Sequence, residues 1–392
     1  GYRLLDWDDG SLAWAASIPR APSTGTEAAE FAYCDRAGAV WLACSPEGLY
    51  STTAWMSSVV RTGREYTRVV AHDPTHTVIA ASVQPCRFVL FDDDGEPVPT
   101  GNETDVANED AHPSQGLRGS LELFIDEDRT TAADGFEFEA NEIVTALELV
   151  SLDASSSPTG RRQFIAAGTS TFHGEDRTSK GSVYLFEVIE VVSGKYQLGR
   201  DLRLKLVCRD DARAPVTAIA ELNGFLLSTC GQKLYVRALE KEEWLISVAF
   251  LDGPFYMTSL RVLKNFVLVS DAKKSLCLLA FQEEPYRFVD LGREINDHNA
   301  SMAQFLVYND RLSLVSTSDV PLGGISGFGA SAGVIRLYEY APHVATTLGG
   351  HRLLLRSEFQ TPAAAVGSTV CRGRWLSDSE LRGREEGRSK LV

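Results

Sequence analysis

"PVTAIAELNGFLLSTCGQKLYVRAL", residues 215–239, reads as strand, turn, strand, turn, strand. Apolar and β-branched residues fill the runs, and Asn223-Gly224 separates the first two. Asn-Gly between apolar runs is a strong hairpin signal, because both central positions of the favoured two-residue turn need φ > 0. The same grammar returns in "FYMTSLRVLKNFVLVSDAKKSLCLLAF" (255–281), and in "MAQFLVYNDRLSLVSTSDV" (302–320) followed by "GVIRLYEY" (333–340). Each unit has an asparagine in its first turn (Asn223, Asn265, Asn309) and a second strand that ends on serine (Ser228, Ser270, Ser316). The units recur about every 42 to 46 residues, the length of a four-stranded propeller blade. "WLISVAFLD" (244–252) and "RFVDLGRE" (287–294) supply fourth strands.

Upstream the pattern continues with longer connections. "EIVTALELVSLD", "RQFIAAGTS", "GSVYLFEVIEVV" and "LRLKLVCRD" form one blade between residues 142 and 210. "REYTRVVAHDP", "HTVIAASV", "CRFVLFDD" and "SLELFID" form another between 64 and 126, and "EFAYCDRAGAVWLACSPEGLY" (30–50) is a hairpin of a further one. That makes five blades and part of a sixth. Helical periodicity is almost absent before the tail. Three polar or glycine-rich stretches interrupt the strands: 92–116 (acidic, read as disordered), 153–161 and 321–333.

The 392 residues are 44% hydrophobic and 23% charged, ordinary values for a globular protein. No apolar run approaches the roughly 20 residues that span a bilayer, so no membrane is expected as a partner. The chain begins at Gly1 without signal-peptide features and reads as a piece of a longer protein. Seven single cysteines with no CxxC pair exclude a zinc ribbon and suit a reducing compartment. In that setting the sequons at Asn102 and Asn299 are chance. A net charge of −15 makes the chain a poor partner for nucleic acid, since a phosphate backbone rewards clustered Lys and Arg.

Candidate chemistry is thin. Gly329-Ala330-Ser331-Ala332-Gly333 fits the G-x-S-x-G elbow of serine hydrolases, which requires a helix after the serine. "VIRLYEY" alternates as a strand instead, so Ser331 is read as a loop residue and hydrolysis as a remote alternative. The same argument removes a phosphate loop at Gly327, Gly329 and Gly333. His72 and His76 have helical metal-site spacing, but Pro74 between them forbids a regular helix interior and leaves a hairpin turn. Asp92, Asp93 and Asp94 lack the alternating ligands of a calcium loop. "TFHGEDRTSKG" (171–181) holds His173, Glu175 and Asp176, enough residue types for acid–base work, yet it lies between two strands and is read as their connection. No catalytic, metal or cofactor residue is assigned, and binding residues stay unspecified.

The strands also carry a resemblance. Ala166 to Thr169 ("AAGT"), Gly174-Glu175, Gly181 and Val188 to Val192 ("VIEVV") are similar to the C-terminal β-propeller region of the largest subunit of the cleavage and polyadenylation specificity factor, the Cft1-like or CPSF A family. Ala214 to Ala218, Asn223-Gly224, Gly231 to Lys233, Lys264 to Glu284 and Leu348 to Phe359 follow in the same order, and Val370 to Gly373 resembles a further motif. The resemblance runs from about residue 30 to 373 and weakens before about 140. The stretch 321–333 stands where the family has a short turn, and past Gly373 the family continues into further strands and a helical domain.

The resemblance implies a non-enzymatic scaffold of nuclear pre-mRNA 3′-end processing. It would hold the zinc-finger and WD-repeat subunits that read the polyadenylation signal, with pre-mRNA bound in the assembled complex. Sister families suggest the alternatives of a cullin-ligase adaptor or a splicing-factor subunit. The expected fold is all-β: a β-propeller of four-stranded blades, of the seven-bladed type and incomplete here, with an irregular or helical tail. Expected boundaries are an N-terminal segment at 1–30 with a strand from a preceding propeller, the propeller at 31–360 and a mobile tail at 361–392.

Overall fold

A computed structural model describes residues 63–89, 115–125, 132–174, 177–191, 201–308, 311–320, 332–361 and 365, and the backbone of short strands at either end. Strands β1 (Leu12–Ser17), β2 (Phe31–Asp35) and β3 (Val40–Ala43) form a three-stranded antiparallel sheet. Five four-stranded sheets follow. Blade one contains β4 (Glu65–His72), β5 (Thr77–Arg87), β6 (Gln115–Ile125) and β7 (Asp134–Glu137). Blade two contains β8 (Glu142–Asp153), β9 (Arg161–Thr171), β10 (Gly181–Val191) and β11 (Asp201–Ala212). Blade three contains β12 (Ile219–Leu222), β13 (Phe225–Cys230), β14 (Lys233–Glu240) and β15 (Trp244–Asp252). Blade four contains β16 (Met257–Leu263), β17 (Phe266–Asp271), β18 (Ser275–Glu283) and β19 (Tyr286–Arg293). Blade five contains β20 (Met302–Tyr308), β21 (Arg311–Val320), β22 (Ala332–Glu339) and β23 (Leu354–Thr361). In the tail, β24 (Val370–Cys371) pairs with β25 (Lys390–Leu391).

Each sheet is an antiparallel meander in sequence order, as propeller blades are. The strands expected for blades two to five are present, and β23 adds to blade five a fourth strand that its apolar pattern does not announce. Blade one differs: "CRFVLFDD" is not its third strand. Cys86 and Arg87 end β5, which pairs with β6 along its whole length, from Thr77 opposite Ile125 to Arg87 opposite Gln115. β7, in a stretch given no strand in the sequence, takes the fourth place, with Phe136 opposite Leu121. The long β5–β6 ladder holds together what the apolar pattern alone divides. Gln115-Gly116 and Ala332-Gly333, assigned to interrupting stretches, belong to strands β6 and β22. β1, from the N-terminal segment, pairs with β2.

The blades bury both of their faces, which explains their near-continuous apolar runs. Side chains alternate along a strand. Thus Ala166, Val183 and Leu185 pack toward blade three with Val216, Ile219 and Leu226. Their neighbours Ile165, Ala167, Tyr184 and Phe186 pack toward blade one with Ile79, Leu121 and Leu123. Blades three and four share a core around Leu234, Leu260 and Phe281, and blades four and five one around Leu278, Phe305 and Leu314. Ser228, Ser270 and Ser316, the repeated serines, are all 0% exposed.

Hydroxyl groups stitch one inner strand to the next. The Thr145 hydroxyl donates to the Val216 carbonyl, Thr217 to Met257 at 2.6 Å, and Thr258 to Ala300 at 2.5 Å. Each acceptor immediately precedes the next hydroxyl residue in the series: Thr217, Thr258, Ser301. The same three acceptors donate their N–H groups back to the preceding blade, Val216 to Thr169, Met257 to Gly231 and Ala300 to Asp271, at 3.1–3.3 Å. Both backbone polar groups of the entering residue are thereby held by the blade before it. Register shifts place Thr67, Thr145 and Thr258 at β-bulges, which turn a side chain out of the regular pleat. Thr217→Val should therefore lower stability by about 1 kcal/mol, the scale of one net hydrogen bond, while Thr217→Ser should lose much less. Urea midpoints decide it, and equal losses would mean that the hydroxyl carries nothing.

At the other end of the sheets the Asn-Gly turn does what its sequence requires. Asn223 and Gly224 have φ of 50° and 88°. The Asn223 side chain donates to Asn265, its counterpart in blade four, at 3.0 Å, and the Gly224 carbonyl accepts from Asp153 of blade two. A Cβ at Gly224 would lie 2.1 Å from the Asp153 carboxylate. Gly224→Val should cost about 1 to 3 kcal/mol, the range for a residue forced into a poorly populated conformation. Gly160 also has positive φ, but a Cβ there meets nothing within 4 Å, so Gly160→Val measures backbone strain alone and should lose less. An equal loss in the two denaturant midpoints would show that the contact with Asp153 is unimportant. Gly329, in the glycine-rich stretch, lies outside the described residues.

Candidate interaction surface

In an antiparallel meander the second-to-third connection of each blade and the crossing to the next blade share one end of the sheet. This end, the upper face, carries the connection at 171–181. Thr171 pairs with Lys180, the Phe172 N–H donates to Asn141, and the Phe172 side chain is 46% exposed. Burial, then Lys180, pushes the His173 imidazole below its usual range. Glu175 and Asp176 lie outside the described residues. The segment is a polar connection between β9 and β10, as its sequence suggests.

The other singled-out residues do not converge on it. His72 and His76 flank the short 3-10 turn Asp73–Thr75 at the opposite, lower end of blade one. His72 is buried, with Nδ1 2.6 Å from the Thr75 hydroxyl. Asp92, Asp93, Asp94 and Ser331 lie outside the described residues. β22 begins at Ala332, so a strand rather than a helix follows Ser331 directly. Among the described residues no group of three His, Cys, Asp or Glu side chains is placed to hold a metal ion. Nor is any described helix long and apolar enough to cross a membrane.

Beneath the upper face lie buried polar groups that sequence reasoning missed. Glu142, the first residue of β8, is 1% exposed. Its Oε1 accepts from the Thr169 hydroxyl at 2.6 Å and the Tyr184 phenol at 3.0 Å. Arg209 lies over the Tyr184 ring at 5.4 Å and binds both Glu139 and Asp211. Burial raises the Glu142 carboxyl and, with the adjacent Glu142 charge, raises the Tyr184 phenol. Neither group is poised to exchange protons with a substrate: the network ties β8, β9, β10 and β11 together. In blade three Arg237, 4% exposed, pairs with Asp210 of blade two at 2.9 Å. In blade four the Asp271 carboxylate, 3% exposed, accepts from the N–H groups of Phe255, Tyr256, Lys273 and Lys274 at 2.8–3.1 Å. A lone acid beside an apolar run is the sequence trace of Glu142 and Asp271, whose partners outside their own turns stand 15 to 42 positions away.

Residues 118–372 match the model of the CPSF A subunit region. The chain belongs to this family. Protein cft1 of Schizosaccharomyces pombe is 33% identical over 318 residues, 81% of this chain and 21% of that protein. Protein CFT1 of Yarrowia lipolytica is 29% identical over 84% of this chain and 25% of its own length. Cleavage and polyadenylation specificity factor subunit 1 of Drosophila melanogaster is 31% identical over 57% and 14%. The chain thus spans between 14% and 25% of the length of these relatives.

Several of the residues that carry the family resemblance are joints between blades. A Cβ on Gly168 of "AAGT" would lie 2.6 Å from Val216 Cγ1, so the motif's smallest member admits the next blade. The Thr169 carbonyl accepts from the Val216 N–H, Thr217 holds Met257, and Asn223-Gly224 forms the turn on Asp153.

The raised Glu142 pKa has a definite sign. The folded chain holds this proton more tightly than the unfolded one, whose carboxyl titrates near 4.5. The penalty for burying the charge is absent below that value and grows as pH rises through the raised folded one. Glu142→Gln should therefore gain stability relative to the parent as pH rises above that unfolded value, as read from urea midpoints. A difference that stays constant with pH would contradict the assignment.

Proposed function

We propose that the chain is the propeller portion of a non-enzymatic scaffold subunit of the nuclear pre-mRNA 3′-end cleavage and polyadenylation machinery. The observation that carries this reading is the family match over residues 118–372, joined by relatives named for cleavage and polyadenylation. The architecture supports it. Blades fixed to one another by shared cores and backbone clamps present connections of variable length on a rigid frame, the arrangement suited to holding partners. Zinc-finger and WD-repeat subunits that recognise the polyadenylation signal are the partners this reading names. RNA is engaged within the assembled complex, because a net charge of −15 gives the chain little affinity for phosphate by itself.

Affinity purification of the tagged chain from nuclear extract tests this reading. The zinc-finger and WD-repeat subunits should be retained, and the chain alone should bind a polyadenylation-signal RNA weakly, losing it as salt rises. Retention of cullin-ligase or splicing subunits instead, tight RNA binding by the isolated chain, or labelling of Ser331 by a fluorophosphonate would each overturn the proposal.

A further inference from the structure

On the upper face, where blades three and four meet, a groove of about 690 Å3 opens between four connections. Arg213 and Ala214 enter it from the crossing into blade three, and Cys230 to Lys233 from that blade's β13–β14 turn. Phe255 and Tyr256 come from the crossing into blade four, and Ala272 from its β17–β18 turn. Its volume falls in the range of small ligand sites, about 300–1,000 Å3. Tyr235, Phe255 and Tyr256 give it aromatic walls, and Phe255 is 43% exposed.

Two features set the groove apart from an ordinary surface dent. The first is charge. Two bases and no acid line it, in a chain where acids outnumber bases 53 to 38. Lys233 is engaged with Asp252 at 2.5 Å. Arg213 is exposed and has no ion-pair partner among the described residues. The second is rigidity. The buried Asp271 carboxylate fixes the N–H groups of Phe255 and Tyr256 on one side and of Lys273 and Lys274 on the other, so two of the four connections are locked in register. Met257, next to Tyr256, is clamped by its N–H to Gly231 and by its carbonyl to Thr217. Phe255, exposed, and Tyr256, half-buried, thus stand on a backbone fixed in advance, which lowers the main-chain ordering cost of association.

We propose that this groove receives an acidic segment of a protein partner, an aromatic or aliphatic side chain seating against Tyr235, Phe255 and Tyr256 while a neighbouring carboxylate pairs with Arg213. Arg213 suits that role, since a guanidinium can hold a carboxylate through two parallel hydrogen bonds. A nucleic-acid strand fits less well. Arg213 and Lys273, the latter 5.3 Å from the Phe255 ring centre, are the cations there without an ion pair among the described residues, and two such charges in a chain of net charge −15 offer little to a phosphate backbone.

The inference rests on the scaffold reading in supposing a protein partner, and its test uses the groove alone. A random twelve-residue peptide library is panned on the chain, and recovered peptides are titrated by fluorescence against the parent, Arg213→Glu and the groove-filling Ala272→Trp, each checked for its strand circular dichroism. Recovered peptides should place Asp or Glu beside Trp, Phe or Leu. They should weaken at least about tenfold on both variants, and exchanging the peptide's acid for lysine should restore binding to Arg213→Glu. Failure to recover peptides, recovery of peptides indifferent to Arg213→Glu, or an Arg213-dependent complex with a twelve-nucleotide oligouridylate would overturn the proposal. A chain that retains processing subunits but takes no such peptide loses this inference and keeps the scaffold. One that takes the peptide but retains no processing subunit does the reverse.

Discussion

Everything in this fold hangs on how one blade hands the chain to the next. Val216, Met257 and Ala300 occupy equivalent points of entry, and each has both its N–H and its carbonyl bonded to the blade just left. A backbone amide at a buried seam must find partners, because an unpaired one forfeits its hydration with nothing in return. Here the partners come from the neighbouring blade, so satisfying the backbone and docking the blades are a single event. The small residues follow from this. Gly168 lies where any side chain would push Val216 away, and Ala166 and Ala167 are fully buried on either side of the same sheet.

The alternation within strands completes the argument. Because Ile165 and Ala167 face one core while Phe164 and Ala166 face the next, a single strand links two cores. A slip of one residue would exchange the two sets and ruin both. Among the polar exceptions, Glu142 and Asp271 lie under the upper face and Arg237 within β14, each buried with its partners. Each is buried with hydrogen-bond partners in place.

Much of this was readable in the residues. The Asn-Gly turn, the repeated serines and the strands of blades two to five, β23 excepted, follow from local pattern, since hairpins are made by neighbours in sequence. Blade one was misread where local pattern and long-range pairing disagree. The run "CRFVLFDD" looks like a strand, but the ladder between β5 and β6 settles its first two residues as the end of β5. The buried acids escaped for the same reason: nothing near Glu142 in sequence announces Tyr184, 42 residues away. Thr145, Thr217 and Thr258 could have been found, because they recur at the head of successive blades, but a threonine in a β-strand attracts no notice until its hydroxyl is seen to leave its own sheet.

Among the described residues the backbone clamps join blades that are consecutive in the chain, and each runs in the same sense, from a blade already placed to the one entering. In these clamps the array resembles a solenoid, with the Arg261–Glu148 ion pair at 3.0 Å adding a link between blades four and two. A completed blade presents a finished seam (hydroxyl, carbonyl and apolar face) before its successor arrives. Growth from the ribosome can then proceed by accretion, each emerging blade condensing on a surface that is already in order.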